Sequence, residues 1–176
     1  MIRPCINEPP GAGWAMKVSS NLSLVVFDLD FTLWDCGGLW VDCTSPPFSM
    51  RDDGSIRDSA SRTLRLYPEV PEILETVESL GCKMAIASRT DQPEWARKLL
   101  ELMGHWSRFD RTEIFPSSKL AHFSNLNRDL GIPYEEMLFF DDEDRNIVEV
   151  GTLGVKCLQV DRGIDLEVFQ TGLELF

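Results

Sequence analysis

The feature that most constrains this chain is a short apolar run, residues 22–27, that stops at two carboxylates one residue apart, Asp28 and Asp30. The run is interrupted only by Ser23 and carries β-branched Val25 and Val26, so it reads as a strand buried on both faces. Strands of that kind belong to parallel sheets, and parallel neighbours must be joined by crossovers, usually helices. The remaining chain repeats the pattern, with further apolar segments at 84–87, 137–140 and 155–160. Between them lie helical patterns. Pro71 opens one whose apolar positions Ile73, Leu74, Val77 and Leu80 recur at helical spacing, and Gly81 ends it. Asp91 is placed to cap a second, carrying Ala96, Leu99, Leu100 and Met103. A third follows Ser117 and Ser118, a fourth follows Asp142 and stops near Gly154, and a fifth begins near Asp165. Alternating strands and helices predict an α/β fold in which a central parallel sheet is covered on both faces.

A chain of 176 residues fits one domain, and its 43% hydrophobic and 26% charged residues are ordinary globular composition. Residues 1–21 hold Pro4, Pro9, Pro10, Gly11 and Gly13 without an apolar core segment. They read as a flexible extension rather than a targeting peptide, with Met16 as an alternative start. Residues 22–176 form the domain. Within it, about 34–66 loses periodicity, carries Gly37, Gly38, Pro46, Pro47 and Gly54, and reads as an irregular flap or hairpin. Cys5, Cys36, Cys43, Cys82 and Cys157 are odd in number and unpaired by spacing, which suits a reducing, cytoplasmic setting. The net charge of −12 argues against a nucleic-acid partner, and no apolar stretch is long enough to span a membrane.

Polar signals recur at the carboxyl ends of the predicted strands or just before a helix. They are Asp28-Leu29-Asp30-Phe31-Thr32, then Ser88-Arg89-Thr90, then Lys119, then Asp141-Asp142. Open α/β sheets bind ligands at that edge. Two acids beside a core repel each other unless a positive charge lies between them, and Mg2+, which takes hard oxygen ligands, supplies it. Asp28 is then the candidate nucleophile toward phosphorus and a metal ligand. Asp30 is the candidate general acid and base, offering its backbone carbonyl to the metal. Ser88 and Arg89 are placed to hold a phosphate. Lys119 stands at a helix start, where the dipole disfavours a cation unless an anion is present. Of the acidic pair, Asp142 is preferred as the direct ligand and Asp141 as its supporter or the alternative ligand. Glu143 and Asp144 are expected to serve the N-terminus of the next helix. No Cys is followed six positions later by Arg, so a thiol-phosphatase loop is excluded.

These motifs resemble the haloacid dehalogenase superfamily, whose first motif, D-x-D-x-T after a hydrophobic strand, matches Asp28 to Thr32. Ser88, Lys119 and Asp141-Asp142 match its later motifs. Within the superfamily, Phe27-Asp28-Leu29-Asp30-Phe31-Thr32-Leu33-Trp34, Leu66-Tyr67-Pro68-Glu69-Val70-Pro71 and Phe139-Phe140-Asp141-Asp142-Glu143 resemble the eukaryotic-type magnesium-dependent phosphatases, which are acid phosphatase-like. The resemblance implies a Rossmann-like three-layer sandwich with only a short flap as cap. It also implies Mg2+, an aspartyl-phosphate mechanism and phosphatase activity on sugar phosphates or phosphotyrosine-like groups of small molecules or proteins. Leu29 joins the phosphate-binding positions, and Trp40, in Trp40-Val41-Asp42, falls on a substrate-side tryptophan segment.

Three other readings use the same residues. A receiver-type phosphoacceptor domain places its acidic pair first, whereas here the pair comes last. A catalytically idle phosphate-binding protein would keep the fold without turnover. A phosphomutase would need a cap that excludes water, and 34–66 is short for that.

Overall fold

The computed structural model describes residues 21–176; the predicted extension otherwise lies outside them. The first strand, β1 (Leu24–Phe27), sits at the centre of the main sheet. After it come the small strands β2 (Trp34–Asp35), β3 (Ser49–Met50) and β4 (Ile56–Arg57), then β5 (Thr63–Leu66). The alternation then runs α1 (Val70–Ser79), β6 (Lys83–Ser88), α2 (Pro93–Leu102), β7 (Arg111–Ile114) and α3 (Lys119–Leu130). It closes with β8 (Met137–Asp141), α4 (Asp144–Gly151), β9 (Lys156–Gln159) and α5 (Leu166–Leu173). The large sheet has the order β7-β6-β1-β8-β9 and every pairing in it is parallel.

Side chains alternate across a strand, so the central strand feeds two cores. Val25 and Phe27 join α1, α2 and α5 through Ile73, Leu99 and Phe169 on one face. Leu24 and Val26 meet Phe123 and Leu126 of α3 and Val150 of α4 on the other. That is why residues 24–27 are apolar throughout, and it makes the three-layer sandwich.

The stretch 34–66 departs from its expected irregularity. It forms a four-stranded antiparallel sheet, in the order β2-β5-β4-β3. This flap shares the main core through Trp34, Val41, Phe48, Ile56 and Leu64, and Phe48 meets Trp95 of α2 edge-on at 6.2 Å. Buried apolar residues therefore fix it to the domain. Asp91 does not cap α2: Gln92 holds that position, followed by Pro93, whose missing N–H costs nothing in the first turn. The last helix starts where expected, and Asp165 caps α5 by accepting from the Val168 amide.

The loop after β9 is laid against the first motif. Gly163 and Ile164 donate backbone hydrogen bonds to the carbonyls of Phe31 and Thr32. Gly163 has φ +87°, and a Cβ there would lie 2.2 Å from the Tyr67 ring. Gly163→Ala is therefore expected to lose about 2–4 kcal/mol, from the left-handed backbone and the overlap together. Urea denaturation measures it, and a loss below about 1 kcal/mol would show that this loop yields easily.

Candidate active site

The chain order reverses beside β1, with β6 on one side and β8 on the other. The crevice beyond the carboxyl ends of these strands is where open α/β sheets place their ligands. Here it is a cavity of about 360 Å³ whose lining includes Asp28, Asp30, Trp40, Ser88, Arg89, Lys119 and Asp142. Seven of the nine predicted site positions thus converge. The other two, Leu29 and Asp141, are fully buried. Leu29 contributes its side chain to the core, while its carbonyl accepts from the amides of Thr32, Leu33 and Trp34 and shapes the turn.

Lys119 is the hub. Its side chain is 1% exposed, and its ammonium donates to Asp28 Oδ1 at 2.7 Å, to the Ala87 carbonyl, and pairs with Asp141 Oδ2 at 2.9 Å. Burial acts to lower its pKa, but the two carboxylates outweigh burial and hold it above the usual lysine value. The unfavourable helix-start position is explained by these two anions.

Asp28, Asp141 and Asp142 offer oxygens that lie within 4.8 Å of one another. Burial raises the Asp28 carboxyl, Asp141 and Asp30 add to the rise, and Lys119 opposes it. One lysine facing three carboxylates leaves negative charge uncompensated. A set of hard oxygen donors of that kind fits a small divalent cation such as Mg2+. Within the set the two neighbours differ. Asp141 is held by the Glu143 amide at 2.8 Å and by Asn146 Nδ2 at 2.9 and 3.1 Å, besides Lys119. No other described residue donates to the Asp142 carboxylate, which burial and then Asp141 push up to about 6. Asp30 stands apart. Its carboxylate is outside the convergent set.

Asp30 Oδ1 accepts from Trp34 Nε1 at 2.7 Å and from the Val41 amide at 3.0 Å. Burial pushes the Asp30 carboxyl up to about 6, against both hydrogen bonds. The turn that follows Asp30 is strained, with Phe31 at φ 57°, a backbone conformation rare for an aromatic residue and common at functional sites. Phe31 packs edge-on against Trp40 at 6.1 Å, and Trp40, 55% exposed, forms part of the pocket wall.

Several lining residues escaped the sequence reading. Asp42, Arg145 and Asn146 reach the pocket, and Asn146 orients Asp141. Glu143 does not cap α4 with its side chain. It accepts from Arg145 at 2.7 Å and from Asn146 at 3.1 Å, and faces Arg89 at 3.5 Å. Asn146 was legible in principle, one helical turn beyond the acidic pair.

A family model described as acid phosphatase matches residues 21–176. Magnesium-dependent phosphatase 1 of Homo sapiens is 49% identical over 154 residues, covering 87% of this chain and 86% of its own. A HAD-like hydrolase superfamily protein of Schizosaccharomyces pombe is 37% identical over 147 residues, covering 77% of this chain and 83% of its own. Among solved structures, a putative phosphatase from Clostridium difficile superposes with TM-score 0.64 at 15% identity, covering 85% of this chain and 90% of that one. A HAD family enzyme from Bacteroides thetaiotaomicron, in complex with magnesium and inorganic phosphate, gives 0.57 at 14% identity, with coverage of 82% and 97%. These two share the fold; the curated relatives and the family match carry the assignment. The chain belongs to the acid phosphatase family within the haloacid dehalogenase superfamily, and it is a phosphatase.

Proposed function

We propose that the protein hydrolyses phosphate monoesters by carrying the phosphoryl group transiently on Asp28, with Mg2+ as cofactor. The observation that supports this most is the convergence on one pocket of Asp28, tied to buried Lys119, with Asp30, Ser88 and Arg89. Lys119 occupies Asp28 Oδ1, which leaves Oδ2 to attack phosphorus as the ester P–O bond breaks on the far side. Asp30 gives its proton to the departing oxygen. Water then attacks the same phosphorus, returns a proton to Asp30, and the Asp28–phosphorus bond breaks to release phosphate. Ser88 Oγ and the Arg89 guanidinium hold the phosphate oxygens, and Asn146 keeps Asp141 turned toward Lys119.

Asp28 and Asp142 hold Mg2+, with the Asp30 carbonyl, and Asp141 supports them. Bound there, the ion supplies positive charge to the phosphate oxygens during transfer. The human relative is named as magnesium-dependent, which agrees with the carboxylate set found here. The exposed indole of Trp40 offers a flat apolar wall to the ring of a sugar phosphate or a phosphotyrosine-like group.

Purified protein is expected to turn over p-nitrophenyl phosphate, and a panel of phosphorylated sugars and phosphotyrosine peptides identifies the preferred class. Absence of turnover on every member would leave the idle phosphate-binding reading instead. EDTA is expected to remove the activity and Mg2+ to restore it. Ca2+ restores only a small fraction, because it takes more ligands at longer distances and spoils in-line alignment. Full activity after exhaustive chelation would refute the cofactor assignment.

A further inference from the structure

Both hydrogen bonds that Asp30 accepts arrive at one oxygen. The indole N–H of Trp34 reaches Oδ1 at 2.7 Å, and the backbone N–H of Val41 reaches the same atom at 3.0 Å. Trp34 is fully buried in β2, and Val41 is fully buried in the short 3-10 turn Val41–Cys43. Neither donor can be replaced by water without opening the flap. No described donor reaches Oδ2, and the residue lines the phosphate pocket. A carboxyl group with one oxygen locked by two N–H donors carries its proton on the other, because an O–H facing two N–H groups finds no acceptor.

We propose that the Trp34 indole and the Val41 amide are positioning groups for phosphoryl transfer: by holding Asp30 Oδ1, they fix Oδ2 as the oxygen that gives and recovers the proton. This rests on the reading of Asp30 as general acid and base. In the first step the Oδ2 proton moves to the ester oxygen as its bond to phosphorus breaks and the Asp28–phosphorus bond forms. In the second, a proton of the attacking water returns to Oδ2 as the Asp28–phosphorus bond breaks. Val41 lies between Trp40 and Asp42, both of which line the pocket. The same turn therefore sets the acid and the substrate wall together.

The test compares single-turnover phosphoryl transfer from an alkyl phosphate with that from p-nitrophenyl phosphate. The alkoxide needs the proton and p-nitrophenolate hardly does, so a misplaced acid slows the first substrate selectively. A merely structural defect slows both alike. Trp34→Phe deletes the indole donor. Val41→Pro deletes the amide donor at the first residue of the turn, where proline is accepted, and Trp40 before it already has the extended φ −67°, ψ 153° that a pre-proline residue requires. If Trp34→Phe fails to fold, 3-benzothienylalanine at position 34 keeps the shape and lacks only the N–H. Leu64→Ala, which thins the core beneath the flap, controls for packing.

The expected result is a loss of about 10–100-fold on the alkyl phosphate beyond any loss on p-nitrophenyl phosphate, for both donor deletions. Leu64→Ala should leave the ratio of the two rates unchanged. Asp30→Asn is the reference and should separate the substrates by about 10²–10⁴-fold. If Asp30→Asn separates them and the donor deletions do not, the positioning role is overturned while the acid assignment stands. If Asp30→Asn does not separate them, both fall.

Discussion

Asp28→Asn is expected to reduce turnover by at least about 10⁴-fold, the scale on which deleting a covalent nucleophile acts, while the protein stays folded. The amide is a poor nucleophile toward phosphorus and a weak ligand for Mg2+, so one atom's change removes two functions. Folding survives because opposing effects nearly balance. The variant loses the 2.7 Å pair with Lys119, yet Lys119 keeps Asp141 at 2.9 Å. Repulsion from Asp141 and Asp30, which adds to burial in raising the Asp28 carboxyl of the native protein, disappears. Acid-quenched mass spectrometry during turnover should find a phosphoryl adduct on the wild-type peptide containing Asp28 and none on the variant. Retention of more than a tenth of the activity by cleanly purified Asp28→Asn would mean that the nucleophile lies elsewhere.

What the sequence made legible follows from how strongly each element is constrained by burial. Strand β1 feeds two cores, so it is apolar on consecutive positions and cannot be mistaken. The edge strand β7 was missed. Its sequence Arg-Thr-Glu-Ile carries charge, and its buried Glu113 is satisfied by Arg111 at 2.8 Å and Asn125 at 2.7 Å rather than by apolar contact. The flap was read as irregular because three of its four strands have only two residues, too few for any period to show. Its order comes from tertiary burial of Trp34, Val41 and Phe48, which no local pattern announces. In the site, Asp28, Ser88 and the acidic pair stand at strand ends, where a polar residue after an apolar run is conspicuous. Trp34 was quoted only as part of a motif, since a tryptophan near a core is ordinarily packing. Its indole proton has meaning only once the turn brings it to Asp30.

The second large effect is expected at Lys119, and it should appear in stability as well as rate. Lys119→Met keeps the apolar stem of a side chain that is 1% exposed, so little packing changes. What changes is charge. Asp28 and Asp141 lose their shared cation, and removing one partner of a buried pair costs about 3–5 kcal/mol because the other charge remains uncompensated. For a chain of this size that is a fall in midpoint temperature on the order of 10 °C. The Ala87 carbonyl and the Phe139 ring, 5.4 Å from the ammonium, lose their contacts as well. Loss of the cation that holds Asp28, the proposed nucleophile, should lower the rate by a further 10²–10³-fold or about that. Mg2+ offers an internal control. A ligand that binds the folded state stabilises it in proportion to its occupancy. If the ion sits among Asp28, Asp141 and Asp142, it should raise the midpoint of Lys119→Met more than that of the wild type, since it then replaces the buried cation that those acids have lost. Equal Mg2+ shifts in the two proteins would place the metal away from this lysine. An unchanged midpoint without metal would show that the folded protein had already discharged one of the two carboxylates.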